Sequence, residues 1–372
     1  MRLVKSYLRR AYSSFVAHVF DVPPRFMAFL LFLTLLVLPL AGLDTYYLSM
    51  LTYANVIAIF AVSWDLLVGR TGQISLGHAL FFGIGGYATG FLSKNLGIPI
   101  WVTIPLAVLV GCLTAFLIGF PCLRVKGPYL ALITMAFPLI VWRVIKWVPL
   151  YPLFGGERGI IGLPSFFPAL SGSIVAMNAR VQAEYYLTLL VLFVCSVIIY
   201  KIANSRTGIV FMSILDDELA SKACGINVTK YKLMSFTISG LFATLAGCMF
   251  AHLFGRTATP SMFELTLSFI PVVVTFLGGI GTIYGPIVGA YVYAIVDRYF
   301  LTILVPKLVD VPPWFQHAKL LIFIFIVLLL IIKWPRGVAR FTTDRLEDLE
   351  EARDLDERGP RIWKRYKTRK KK

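Results

Sequence analysis

Apolar stretches of about twenty residues, the length a helix needs to cross a hydrocarbon core, recur along almost the whole chain. Ten can be placed, at 26–43, 46–68, 74–92, 100–119, 128–147, 185–202, 233–254, 267–283, 286–304 and 319–334. The expected fold is therefore all-α, a polytopic transmembrane helical bundle of about ten spans. Of the 372 residues 58% are hydrophobic and 15% charged, and the mean hydropathy is +0.79. Soluble domains run at roughly 45–50% and about 25%. The first stretch is not read as a cleaved signal peptide, because it starts late and no small-x-small site follows it.

Two of the ten stretches are unusual. The run from Thr71 to Tyr87 carries Gln73, Ser75 and His78 among Gly72, Gly77, Gly83, Gly85 and Gly86. The stretch 267–283 runs into Gly278, Gly279 and Gly281, with Gly285 and Gly289 beyond. Polar groups at membrane depth face protein or water, and small residues let helices approach closely. The stretches 74–92 and 267–283 either cross fully or are broken or re-entrant. Two readings of Gln73, Ser75 and His78 stay open. They line a solute path in which exposed backbone groups receive a zwitterion, or they knit helices together by hydrogen bonds. The glycines serve close packing or the same path. Segment 72–86 is expected to face 277–289, as in halves built from related units. Asp65 and Arg70 are expected to snorkel or pair locally, and Asp297 and Arg298 to sit at the interface.

The net charge of +17 would suit nucleic acid, but its placement argues for a membrane. Of the 36 Lys and Arg residues, 27 fall in 1–25, 69–73, 120–127, 201–232 and the tail from 333, and the tail alone holds 14. The positive-inside rule puts these segments, and so both termini, in the cytoplasm. The expected organisation is a cytoplasmic N-terminal extension (1–25), a transmembrane domain (26–334) with an outer loop at 148–184 and an inner loop at 203–232, and a charged cytoplasmic tail (335–372). In the tail, Asp344 with Glu347 fits a capping pair, and the basic run 364–372 suits anionic lipid. The five cysteines form no CxxC pair, so free thiols are expected and no metal site.

The inner loop carries a second pattern. Asp216 to Cys224 is helix-forming, Gly225 stands where a left-handed C-cap would sit, and a second helix can start near Thr229. Such a helix–turn–helix projection can dock in a groove on another protein, or it is an ordinary amphipathic loop. The segment resembles the coupling loop of ATP-binding-cassette (ABC) importer permeases. There Glu-Ala-Ala precedes a glycine by six, five and four positions; here Leu219, Ala220 and Ser221 take those places, with Glu218 one place early. Asp216-Asp217-Glu218 leading to Gly225-Ile226-Asn227-Val228 is more closely similar to the permeases of high-affinity branched-chain amino acid importers. Gly72 to Ala79, Gly127 to Thr134 and Leu277 to Ala290 resemble the same family in order, so the likeness covers about 45–335.

The resemblance implies a subunit that translocates leucine, isoleucine or valine across a bacterial inner membrane by alternating access. It implies cytoplasmic ATP-binding subunits, a second homologous permease and an outer solute-binding protein as partners. The implied coupling residues are Asp216, Asp217, Glu218, Ala220, Gly225, Ile226 and Asn227. The candidate pathway residues are Gln73, Ser75, His78, Gly83, Gly85, Gly278, Gly279 and Gly281. Urea, short amides or other amino acids are alternative solutes, and a channel is the alternative mechanism. No HExxH, G-x-S-x-G or G-x-x-x-x-G-K-[ST] motif is present, so no catalytic residue, cofactor or metal is expected. Any ATP hydrolysis must come from a partner.

Overall fold

The structure, a computed structural model, describes residues 23–123, 125, 127–168, 174–304 and 325. Most of the expected N-terminal extension, the tenth expected span apart from residue 325, and the charged tail with its capping pair lie outside the described residues. The other nine expected stretches each contain a helix. These are α1 (Pro23–Val37), α2 (Thr45–Thr71), α3 (His78–Asn95), α4 (Ile100–Cys122), α5 (Pro128–Ile145), α6 (Ile174–Ala203), α9 (Val228–Leu253), α10 (Leu265–Gly278) and α11 (Tyr284–Ala294), the last continuing as a π-helix over Ile295–Leu304. Between α6 and α9 lie α7 (Arg206–Asp216) and α8 (Glu218–Ala223). A two-residue bridge pairs β1 (Ile160–Ile161) with β2 (Thr257–Ala258) antiparallel.

The fold is an all-α membrane bundle. Thr45–Thr71, Ile100–Cys122, 176–203 and Val228–Leu253 are long and apolar enough to cross alone, and α5 with the turns after it makes a fifth pair bent by 73°. Among the remaining helices, α3, α10 and α11 border the two glycine-rich breaks. Helix α6 starts at Ile174, eleven residues before the stretch expected at 185–202. An i,i+4 pair of Arg180 and Glu184, 3.1 Å apart, supports the extra turns beyond the apolar stretch.

Helix α2 is the axis of the bundle. Every residue from Met50 to Leu67 is buried, as expected of a helix that is apolar all round. It packs against α6 and α9 on one side and α10 and α11 on the other. Helices α3, α4 and α9 form a second, mutually packed group.

Small residues set the closeness of that group. On α4, Thr103, Ala107, Gly111, Ala115 and Gly119 recur every fourth position and are all buried. The opposite face presents Trp101, Leu106, Leu109, Leu113 and Leu117 outward. Lipid is as apolar as leucine, so helix association here depends on tight packing rather than on a hydrophobic drive. A Cβ on Gly111 would overlap the Thr244 side chain of α9, and one on Gly247 would overlap the Phe82 carbonyl of α3. Gly247→Ala should therefore lower the thermal unfolding midpoint of the detergent-solubilised protein by the equivalent of about 1–3 kcal/mol. Leu117→Ala, on the lipid-facing side, should stay within about 0.5 kcal/mol of wild type. An unchanged midpoint for Gly247→Ala would contradict the close approach of α3 to α9.

Candidate translocation and coupling site

Helix α2 ends at Gly72, whose φ of 68° provides the left-handed cap, and its N–H closes on the Val68 carbonyl. The chain then runs without helix to His78. Protein groups from four helices meet this break. Trp64 Nε1 of α2 donates to the Ser75 carbonyl at 2.8 Å. Thr134 Oγ1 of α5 accepts from Leu76 N at 3.2 Å, and Ser268 Oγ of α10 accepts from Ala79 N at 3.2 Å. The largest share comes from α9. Gln73 Nε2 donates to Ser235 Oγ at 3.1 Å and to the Lys232 carbonyl at 3.4 Å. It also donates to Thr71 Oγ1 at 2.9 Å.

His78 opens α3 and is fully buried. Its Nε2 lies 2.8 Å from Ser239 Oγ. Ser239 gives its one proton to the Ser63 carbonyl at 2.5 Å. The imidazole must therefore donate through Nε2–H, which leaves Nδ1 an acceptor. Gln73 Oε1 and His78 Nδ1 have no hydrogen-bond partner among the described residues.

A second break separates α10 from α11. Gly279 and Gly281 have φ of 118° and 77°, which side chains resist. Asp65, 2% exposed, accepts from Gly281 N at 2.7 Å. A Cβ on Gly69 would lie 2.7 Å from the Gly281 backbone, so α2 and the turn touch directly. Gly278 packs against Gly285, and Gly289 against Val274. Of the two expectations for Asp65, snorkelling or local pairing, the first does not hold, and its partner is distant in sequence. Asp65 is a buried acceptor on the glycine turn, and its neighbour Trp64 holds the first break.

The expected face-to-face meeting of 72–86 with 277–289 is largely replaced by other pairings. A Cβ on Gly85 would overlap the Thr244 carbonyl of α9, and one on Gly83 would overlap Phe263. The two breaks are linked mainly through α2. Ser75 is fully buried and stays within its own turn, accepting from Gly77 N at 3.3 Å.

The inner elbow is defined by its caps. The helix expected over Asp216–Cys224 is α8, which starts two residues later at Glu218, and Asp216 ends the separate helix α7. Asp217 adopts an extended conformation (φ −154°, ψ 109°), and its carboxylate accepts from Leu219 N and Ala220 N at 2.8 and 3.0 Å. That local bonding outcompetes continuation of α7. At the far end Gly225 has φ 81°. Its N–H bonds the Lys222 carbonyl and that of Ile226 bonds the Ser221 carbonyl, the paired bonds of a Schellman cap. Asn227 then caps α9 through Lys230 N at 3.1 Å. Ser221 Oγ donates to the Ser213 carbonyl at 2.9 Å and seats α8 on α7. Leu219, Ala220 and Asp216 are exposed at the tip. Glu218 points back, its two oxygens 2.8 Å from Lys222 Nζ and 2.6 Å from Lys232 Nζ.

The branched-chain amino acid transport system permease component family matches residues 46–332. The chain belongs to that family. Two relatives are the high-affinity branched-chain amino acid transport system permease proteins LivM of Salmonella typhimurium and Escherichia coli. They are 29% and 27% identical over 80% of this chain and 70% of theirs. The galactose/methyl galactoside import permease MglC of Salmonella typhimurium is 26% identical over 79% of this chain and 90% of its own. No solved structure matches the chain. As a permease of this family the protein is a transporter subunit of an ABC importer, and ATP hydrolysis belongs to separate ATP-binding subunits.

In this permease the elbow has an acid-sensitive anchor. Partial burial of Glu218 works against its charge, but hydrogen bonds from Lys222 and Lys232, with their charges, outweigh it and hold the carboxyl at about 2. A depressed value means the stabilisation is complete above the ordinary carboxylate value of 4.5 and fades as pH falls from there through about 2. Amide exchange protection in α8, corrected for intrinsic rates, should drop between about pH 6 and about pH 3. In Glu218→Gln it should be low at both values, and equal protection in the two proteins would disprove the anchor.

Proposed function

We propose that the chain is a transmembrane subunit of an importer for leucine, isoleucine and valine, set in a bacterial inner membrane with both termini cytoplasmic. The capped elbow carries this reading. It presents an exposed, rigid tip of the kind an ATP-binding subunit grips, and its residues Asp216, Asp217, Glu218, Ala220, Gly225, Ile226 and Asn227 are the coupling set. The basic segments at 201–232 support the inward orientation. The names of the two LivM relatives support the substrate class. The galactoside relative favours a second reading, a permease for another small polar solute. A second permease subunit and an outer solute-binding protein complete the proposed assembly.

The solute path runs beside the first break. Gln73, Ser75 and His78, with Gly83 and Gly85 on one side and Gly278, Gly279 and Gly281 on the other, are its proposed lining. Gln73 Oε1, His78 Nδ1 and Tyr87 Oη are buried without a partner among the described residues, as is Trp142 Nε1 elsewhere. Unmet polar atoms clustered on one segment are what a passing ammonium group or a second conformation would satisfy.

Reconstitution with the ATP-binding subunits, partner permease and binding protein tests the assignment. Leucine, isoleucine and valine should stimulate ATP hydrolysis and enter the vesicles, while galactose and urea should not. Stimulation by galactose or urea alone would replace the substrate class. Gly225→Val should separate hydrolysis from uptake. A Cβ at Gly225 meets no atom within 4 Å, so the change acts through its φ alone, at about 1 kcal/mol or more. Normal uptake per ATP in that variant would remove Gly225 from the coupling set.

A further inference from the structure

We propose that Lys232 is the joint that connects the inner elbow to the broken segment 72–77, a positioning role that rests on the importer reading above. The residue faces both ways. Its ammonium, with a side chain only 16% exposed, lies 2.6 Å from Glu218 of α8. Its carbonyl, on the first turns of α9, accepts from Gln73 Nε2 at 3.4 Å and from Ser235 Oγ at 3.0 Å. One side chain and one backbone oxygen therefore link the elbow to a break whose Gln73 lies 159 residues before Lys232.

A second contact runs beside it. Leu215, at the end of α7, lies 3.0 Å from where a Cβ on Gly72 would stand. The elbow thus meets the break at adjacent residues, Gly72 through α7 and Gln73 through Lys232. The other cation on Glu218, Lys222, belongs to α8 itself. It stiffens that helix, whereas the Lys232 pair reaches from α8 to α9. Gln73 amide orientation is fixed by the same arrangement, because the Lys232 carbonyl can only accept. Displacement of α8 by a docked partner would be passed to α9 by a short ion pair and to the break by the carbonyl of the same residue.

The test uses the full reconstituted complex with the chain carrying Ile74→Cys and Cys224→Ser. Ile74 sits in the break and is 51% exposed, so its thiol can be labelled. ATP should change the labelling rate at position 74 by about fivefold or more, the low end of ordinary coupling between sites. Lys232→Met should abolish that change while the subunits still co-elute, and Lys232→Arg should restore it. Adding Glu218→Gln to Lys232→Met should do no further harm, since both remove the same link. An ATP-dependent change that persists in Lys232→Met overturns the joint alone. Failure of Lys232→Arg to restore it also overturns the joint, because a charge-retaining link would then be irrelevant. No ATP-dependent change in the parent complex overturns the importer reading and the joint together.

Discussion

A backbone that loses its helix inside hydrocarbon must have its N–H and C=O groups met by other parts of the protein. This chain loses its helix at least twice, at 72–77 and at 279–283, and its neighbours are arranged to meet both breaks. Trp64 and Asp65, consecutive on α2, hold one each: the indole donates to the Ser75 carbonyl, and the carboxylate accepts from Gly281 N. Consecutive residues point about 100° apart on a helix, so α2 must lie close to both breaks to bond them. The burial of α2 from Met50 to Leu67 follows from that position.

The small-residue stripes serve the same end. Hydroxyls on α9 reach Gln73 and His78 only if α9 lies against the start of α3, and Ser235, Ser239, Gly240 and Gly247 keep its facing side thin. Glycine inside a helix costs about 1 kcal/mol relative to alanine. Interhelical hydrogen bonds in membranes average only about 0.6 kcal/mol each. Neither term alone explains the arrangement. Close packing supplies the dispersion contacts, and the serines supply partners for buried polar side chains that would otherwise be left unmet.

Much of this was legible in the sequence. Nine apolar stretches became helices near their expected edges, because a membrane admits little else. The glycine of the elbow was readable because a C-cap is local: residues 221–226 decide it among themselves. The boundary at Asp217 was missed for an equally local reason, since Asp-Asp-Glu reads both as a good helix start and as helix interior. The partner of the first break was not legible. Ser235 and Ser239 lie about 160 positions from Gln73 and His78, and serines amid apolar sequence look the same whether they bond to their own helix or to another. Asp65 was expected to snorkel or pair locally, and its true partner was not legible because a backbone N–H carries no residue-type signature.

The two breaks were expected to face one another, and the structure joins them mainly through α2 instead. That difference matters for how the bundle can move. Two segments in direct contact would have to slide past each other for a path to open between them. Two segments hung from adjacent residues of one stiff helix share its displacement: a shift of α2 along its axis carries Ser75 and Gly281 in the same direction. Rocking of one group of helices against another is how transporters with discontinuous helices commonly alternate access. Here α3, α4 and α9 form one packed group and α10 with α11 another, and α2 touches both. The elbow meets this system at Gly72 and Gln73, directly below the end of α2. The elbow therefore touches the bundle where the axis ends and the first break begins.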